Sequence, residues 1–166
     1  MKLARALKHL VVPDWVARRC FSAADLLQIE KAVKNSEKRH QGEIRFVVEG
    51  SLPLSYLLLK HRSSRRRAED LFSSLRAWDT ERNTGVLIYV QLVSRHIDIV
   101  ADRGIAAKVA QDEWDAVCRA MESSFRRKEF LKGSLEALER VTSLLARHFP
   151  SAGGGANELP DRPVVL

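Results

Sequence analysis

VLIYVQLVSRHIDIVA, residues 86–101, contains the clearest secondary-structure pattern in the chain. Residues 86–92 are almost all apolar, which is typical of a strand buried on both faces in the middle of a sheet. Residues 96–101 alternate between apolar and mostly polar positions, which is the period of a half-buried strand. Because only a short turn around Ser94 and Arg95 separates the two segments, the stretch predicts an antiparallel hairpin.

A third strand is predicted upstream, at residues 43–49. Apolar residues alternate there with Glu43, Arg45 and Glu49, so we expect one buried face and one half-polar face. Between this strand and the hairpin, residues 65–78 carry apolar side chains at helical spacing. A strand, a crossover helix and a second strand favour a parallel pair, and the predicted sheet is therefore mixed.

Three further helices are predicted around this sheet. The first covers residues 22–40 behind the N-cap residue Ser22, the second carries an apolar stripe over residues 114–125, and the third begins at residue 133. The fold class we predict is α/β: a three-layer α/β/α sandwich around a small mixed sheet with an antiparallel hairpin.

The length of 166 residues and a hydrophobic content of 45% predict one domain with a proper core. We divide the chain into an N-terminal amphipathic helical segment, residues 1–21, an α/β domain, residues 22–150, and a flexible C-terminal tail, residues 151–166. For the tail an alternative stays open, in which its apolar end docks back onto the domain. Cys20 and Cys118 are expected to be reduced packing residues, which favours a cytoplasmic location.

Residues 1–12 alternate basic and apolar side chains, and two interpretations stay open. The segment is either an amphipathic helix on a membrane surface, which would make the protein peripheral to the membrane, or a helix docked on the domain. Its apolar run is too short for a signal peptide or a span. The net charge of +7 favours anionic partners, but no specific nucleic-acid-binding motif is present.

The predicted topology brings oxygen donors from three loops to one end of the sheet. A hard cation, Ca²⁺ or Mg²⁺, prefers such oxygens. The candidate metal ligands are Asp79, Glu81, Asn83, Asp98 and Asp102, and further candidates near that end are Glu37, His40, Glu43 and Arg103. The alternative is a set of exposed caps and ion pairs, in which Arg103 neutralises the carboxylates.

The opposite end of the sheet carries a basic cluster at the start of the crossover helix. Its members are Arg62, Arg65, Arg66 and Arg67. Arginines at a helix N-terminus bind phosphate readily, which predicts an anion site. The alternative is that Glu69 and Asp70 pair with these arginines along the helix. No nucleotide-binding or hydrolase motif accompanies the cluster, so no catalytic residue is nominated.

Three segments of the chain resemble the TPM domain, a family named for thylakoid lumen, photosystem II repair and worm receptor-modulator proteins. They read GEIRF at residues 42–46, WDTERNTGVLIY at residues 78–89 and IDIVADRGI at residues 97–105, and the similarity extends over residues 22–150. The closing NELPD, residues 157–161, resembles a short bacterial subgroup of the family.

The resemblance implies an α/β/α sandwich, divalent-cation binding and, in some members, weak acid phosphatase activity. Ala106 and Gln111 stand where the family has acidic residues, whereas Asp102 is an acid added nearby. We therefore expect an accessory module that binds a divalent cation and helps a protein partner, with at most weak phosphomonoester hydrolysis. The alternative is a non-enzymatic adaptor that binds acidic lipid, nucleic acid or a protein partner through its basic surface.

Overall fold

The computed structural model describes residues 15–53, 56, 63–151, 153 and 157–166. In this part of the chain the helices are α1 (Trp15–Cys20), α2 (Ala23–Glu37), α3 (Ser64–Ser74), α4 (Arg103–Ala106), α5 (Gln111–Arg126) and α6 (Phe130–His148). The strands are β1 (Glu43–Glu49), β2 (Gly85–Gln91), β3 (His96–Ala101) and β4 (Val164–Val165). Of the amphipathic helical segment expected at residues 1–21, residues 15–20 form α1, and residues 1–14 lie outside the described residues.

The four strands form one mixed sheet in the order β3-β2-β1-β4. β1 and β2 are parallel, with Glu43 opposite Gly85 and Glu49 opposite Gln91. β3 returns antiparallel to β2. The predicted parallel pair and the predicted hairpin are both confirmed, so the starts of β1 and β2 meet the end of β3 at one rim of the sheet.

Two apolar clusters lie on the two faces of the sheet. The larger one packs α2, α5 and α6 against side chains such as Phe46, Ile88 and Ile99. The smaller one packs Ala68 and Leu71 of α3 against Val47, Leu87, Tyr89 and Val100. Helices therefore cover both faces, which confirms the predicted α/β/α sandwich.

The start of α2 follows the local rules that predicted it. The side chain of Ser22 accepts a hydrogen bond from the Asp25 amide, and the Asp25 carboxylate accepts one from the Ser22 amide. This capping box satisfies two amides that the first helical turn leaves without intrahelical partners. Phe21, just before the cap, is 1% exposed and fixes α2 against the larger cluster.

The last helix begins three residues earlier than predicted, at Phe130 instead of Gly133. The ring of Phe130 packs against Phe21 and Phe125, and this contact draws the first turn into the core. Gly133 serves close packing, because a Cβ there would lie 2.7 Å from the Cβ of Ser124 on α5.

The predicted half-polar face of β1 is present, but it is not exposed, because both faces of the strand are buried. Glu43 and Arg45 are each 6% exposed, and Glu49 is 2% exposed. These polar side chains are buried because distant parts of the chain lie over them. Arg67 of α3 reaches Glu49, while residues 159–162 lie over Glu43 and Arg45.

That cover comes from the segment expected to be a flexible tail. Val164 and Val165 pair in parallel with Val47 and Val48, so β4 extends the sheet beyond β1. Leu159 is 6% exposed. The docked alternative for the apolar end of the tail is therefore the one that the structure shows.

Among the described helices, none is both long and apolar enough to cross a bilayer.

Candidate functional site

Asp102 stands where β3 ends and α4 begins, at the rim of the sheet. Its backbone amide donates to Gly85 O at 2.9 Å, which ties it to the first residue of β2. Its Oδ1 caps α4 by accepting from the Arg103 amide at 2.7 Å. Its Oδ2 is shielded from solvent and has no hydrogen-bond partner, so one carboxylate oxygen at the rim is left without a hydrogen bond.

The loop before β2 is held directly against Asp102 and α4. Asn83 adopts a left-handed conformation, with φ of 55°, and its carbonyl accepts from the Gly104 amide at 3.1 Å. A Cβ on Gly104 would lie 2.5 Å from Asn83 O and 2.9 Å from Arg82 O, so only glycine permits this approach. Arg103 Nε donates to Asn83 Oδ1 at 3.1 Å. The structure thus brings together Asn83, Asp102 and Arg103.

The other predicted metal ligands are not gathered around Asp102. Asp79 forms an exposed ion pair with Arg76. The side chain of Glu81 is exposed, and its backbone amide donates to Glu158 Oε2 at 2.7 Å.

Asp98 lies four residues before Asp102 on β3, which is about 13 Å along an extended strand. It accepts a hydrogen bond from Ser64 Oγ at 2.7 Å. With Cys118 and Glu122 it lines a separate groove of about 590 Å³ along β3. The structure therefore does not bring Asp98 together with Asp102.

Glu37 and Glu43 form a second acidic group at the start of β1. Glu37 Oε1 accepts from the Ile44 amide at 2.9 Å, and Glu43 Oε2 accepts from the Leu159 amide at 3.1 Å. Burial, followed by the nearby charges of Glu43 and Asp161, raises the pKa of Glu37 to about 9. Burial likewise raises the pKa of Glu43. Glu37 is therefore protonated at neutral pH.

Two C-terminal carboxylates near this group, Glu158 and Asp161, were not predicted from the sequence. Both belong to the NELPD segment, residues 157–161, whose likeness to a bacterial subgroup was the available signal. A tail interpreted as flexible gave no reason to place its carboxylates beside β1.

His40 is a structural residue, with both ring nitrogens in use. Its Nδ1 accepts from the Gly42 amide at 3.2 Å, which leaves the proton on Nε2. Nε2 lies 2.7 Å from Ser36 Oγ, and that hydroxyl lies 2.5 Å from Thr142 Oγ1. Burial lowers the pKa of His40 to about 4, so the ring is neutral and ties α2 to α6.

The arginines expected to bind an anion are paired with carboxylates. Arg65 binds Glu69, and its Nη1 donates to Ile99 O at 2.6 Å. Arg66 lies within reach of Glu69 and Asp70. Arg67 binds Glu49 at 2.5 Å, and its side chain is only 18% exposed. Arg62 lies outside the described residues.

Neither cysteine is an activated nucleophile. Burial, with the nearby charges of Asp98 and Glu122, raises the pKa of Cys118 to about 12. Burial also raises the pKa of Cys20. Because their pKa values are raised, both thiols are protonated at neutral pH, whereas the reactive form of cysteine is the thiolate.

Within the described ranges, no three His, Cys, Asp or Glu side chains converge as a ready metal site.

Comparison with solved structures finds the same fold in several bacterial proteins. The protein BA42 from the psychrophilic bacterium Bizionia argentinensis has 29% sequence identity and a TM-score of 0.75, over 87% of this chain and 94% of that one. The N-terminal domain of cg2496 from Corynebacterium glutamicum has 15% identity and a TM-score of 0.56, over 82% of this chain and 78% of that one. An N-terminal domain from P. gingivalis has 14% identity and a TM-score of 0.60, over 85% and 92% of the two chains. The last two likenesses concern the fold alone.

A search of curated protein sequences found no match. The model of one protein family, the TPM domain, labelled TPM phosphatase, matches residues 17–144. This match spans the sheet strands β1 to β3, the rim around Asp102 and most of α6. The chain therefore belongs to the TPM domain family.

Proposed function

We propose that the protein is an accessory module that binds a divalent cation, Ca²⁺ or Mg²⁺, at the sheet rim beside Asp102. The observation that carries the proposal is Asp102 Oδ2, a carboxylate oxygen without solvent and without a hydrogen-bond partner. An ionised carboxylate in such surroundings is costly unless it is paired or coordinates a metal. Oxygen-binding cations of this kind would supply the missing partner.

Asn83 would provide the second oxygen of this site. Its Oδ1 now accepts from Arg103, whose side chain is exposed and free to turn toward solvent. Glu81 and Asp79 belong to the same loop and face solvent, so either carboxylate would have to turn toward Asp102 to join the ligand shell. Because only one carboxylate oxygen at the rim is already in place, we expect a dissociation constant on the order of 10⁻⁴ to 10⁻³ M, the range of weak calcium sites.

Thermal unfolding with added metal tests this proposal. At a cation concentration 100 times the dissociation constant, binding adds about 2.7 kcal/mol to the free energy of unfolding, which raises Tm by about 5–10 °C in a chain of this size. The variant Asp102→Asn keeps a residue that caps α4 well but loses the charge. Its Tm should not respond to either metal.

Asp98→Asn is the matched control, because it removes a predicted ligand that lies in a different groove. It should retain the full Tm increase. A wild-type protein that shows no shift at the highest concentration would contradict the proposal. An Asp102→Asn variant that responds as strongly as the wild type would also contradict it.

Hydrolysis of phosphomonoesters, if present, should be weak and should depend on the same site. With both thiols protonated, water activated by the bound cation is the expected nucleophile. The turnover of a generic phosphate ester should therefore fall to background in Asp102→Asn.

The adaptor alternative has less support. Arg65 and Arg67 already bind groups of the protein itself, so Arg66, with 60% of its side chain exposed, is the member of the described cluster that remains most accessible. A phosphate would have to displace existing ion pairs there.

A further inference from the structure

The outward face of α2 carries a line of lysines that begins with an exposed leucine. Lys31, Lys34 and Lys38 are exposed, and Leu27, one turn before Lys31, is 49% exposed. At 3.6 residues per turn, the four side chains leave the helix within an arc of about 60°. The buried residues of α2 lie on the opposite side of the helix. We call these four exposed residues the lysine stripe.

None of the acidic residues of α2 belongs to the lysine stripe. Asp25, Glu30 and Glu37 are all partly buried. Asp25 closes the capping box with Ser22, and Glu37 accepts from the Ile44 amide. The helix therefore separates its charges, with the lysines in solvent and the carboxyl groups at partly buried positions.

The positive charges of the lysine stripe are not neutralised by the part of the protein that the structure describes. Lys31 and Lys34 form no ion pair or hydrogen bond there, and Lys38 donates only to the neutral Asn35, at 2.9 Å. Several cations of α5, α6 and the loop between them are, by contrast, paired with carboxylates. The stripe is thus free to meet an anionic partner.

A bilayer with anionic headgroups matches both components of the stripe. Lysines are attracted to such a surface, and an exposed leucine gains by entering the boundary between headgroups and acyl chains. Ala23 and Ala24, exposed in the first turn of α2, add apolar surface at the same end as Leu27. A nucleic acid fits less well, because α2 has no arginine to read base edges and no aromatic ring on which bases could stack.

We propose that the lysine stripe is a membrane-docking surface, which rests α2 lengthwise on a bilayer that contains anionic phospholipids. The three ammonium groups span about 10 Å along the helix and contact headgroups, while Leu27 enters the layer beneath them. α2 packs on the opposite face of the sheet from α3. The surface is therefore separate from the arginine cluster of α3, and it does not involve Asp102.

The strength of this contact should depend steeply on charge and on salt. Each lysine close to an anionic surface raises the binding constant about fivefold, so three lysines together contribute about 100-fold. An increase in ionic strength from about 0.01 M to about 0.15 M shortens the screening length from about 30 Å to about 8 Å. The same increase should therefore weaken the binding.

Cosedimentation of the full chain with vesicles tests the proposal, at low ionic strength and with a chelator present. The wild type should bind vesicles of phosphatidylcholine mixed with an equal amount of phosphatidylglycerol, but not vesicles of phosphatidylcholine alone. The triple variant Lys31→Gln, Lys34→Gln, Lys38→Gln should bind the mixed vesicles about 100-fold more weakly.

The matched control removes the same number of positive charges elsewhere. Arg119, Lys128 and Arg140 are exposed positions on α5, α6 and the loop between them. The triple variant Arg119→Gln, Lys128→Gln, Arg140→Gln should retain most of the wild-type affinity. Unchanged Tm values would show that both triple variants are folded, as expected for substitutions at exposed positions.

Leu27→Ser separates a lipid surface from other polyanions, because it keeps every charge and removes only the apolar contact. Its affinity for the mixed vesicles should fall about five- to tenfold, as expected from partial burial of a leucine. Its affinity for duplex DNA, measured at the same ionic strength, should equal that of the wild type.

Equal vesicle binding by the two triple variants would overturn the proposal, and so would a wild type that does not bind the anionic vesicles. Tighter binding to duplex DNA than to vesicles, together with no effect of Leu27→Ser on vesicle binding, would overturn the assignment to lipid. Because the chelator removes divalent cations, none of these results depends on the cation site at Asp102.

Discussion

Replacing Arg67 by methionine is expected to lower the free energy of unfolding by about 3–5 kcal/mol, the cost of leaving one partner of a buried ion pair alone. The Arg67 guanidinium donates to both oxygens of Glu49. Glu49 is 2% exposed and also accepts from Tyr89 Oη at 2.5 Å. Methionine preserves much of the apolar stem but leaves the Glu49 carboxylate buried without its cation.

Chemical denaturation of three variants measures this effect. Arg66→Met, at an exposed neighbour with 60% of its side chain accessible, should change stability by less than about 1 kcal/mol. The double variant Arg67→Met with Glu49→Gln should recover part of the loss, because no charge is then buried. If Arg67→Met is as stable as Arg66→Met, the ion pair between Arg67 and Glu49 does not stabilise the fold.

The second large effect concerns His40 and acid. Burial holds the pKa of His40 at about 4 in the folded protein, against about 6.5 in an unfolded chain. Between these values the unfolded chain binds a proton that the folded chain excludes, so stability falls as pH is lowered from 6.5 to 4. The loss should amount to about 3 kcal/mol. Protonation would also remove the acceptor that Nδ1 offers to the Gly42 amide.

The His40→Gln variant isolates this contribution. Its amide can donate to Ser36 and accept from Gly42 without titrating. Subtracting its unfolding free energy from that of the wild type cancels the other groups, including Glu37, whose raised pKa gives the opposite slope, with stability falling as pH rises toward 9. The difference should decrease by about 3 kcal/mol between pH 7 and pH 4. A difference that does not vary with pH would contradict the buried, neutral ring.

The architecture was predictable because it rests on local patterns. Continuous apolar sequence in β2 and alternation in β3 define the hairpin, and the crossover through α3 gives the parallel pair with β1. The capping box at Ser22 also depends on neighbours in sequence. Each of these features needs only residues within a few positions, or a general rule of chain handedness.

The cover on β1 could not be predicted in this way. Alternation indicates which side chains of β1 share a face, but it does not indicate what lies over that face. Glu49 is buried by Arg67, 18 residues away, and Glu43 by Leu159, 116 residues away. Isolated carboxylates in the sequence look like solvent-exposed residues until their partners are known.

The candidate site was predictable in outline and not in detail. Topology placed Asp102 and the loop of Asn83 at one rim, and Gly104 brings them into contact. The predicted topology could not distinguish Asp102 from Asp98, which lies on the adjoining strand β3 and has Ser64 as its hydrogen-bond partner. The topology also gave no signal that Asp102 Oδ2 would lack a hydrogen bond, because the surroundings of one atom depend on side-chain packing.

An NMR titration of the ¹⁵N-labelled full chain with CaCl₂ or MgCl₂ tests the cation site most directly. If a cation binds at the rim, saturable shifts should be centred on the amides of Asn83, Asp102, Arg103 and Gly104, with no saturable shift at His96 or Cys118 in the groove along β3. Saturable shifts confined to that groove, or no saturable shift anywhere in the chain, would contradict it.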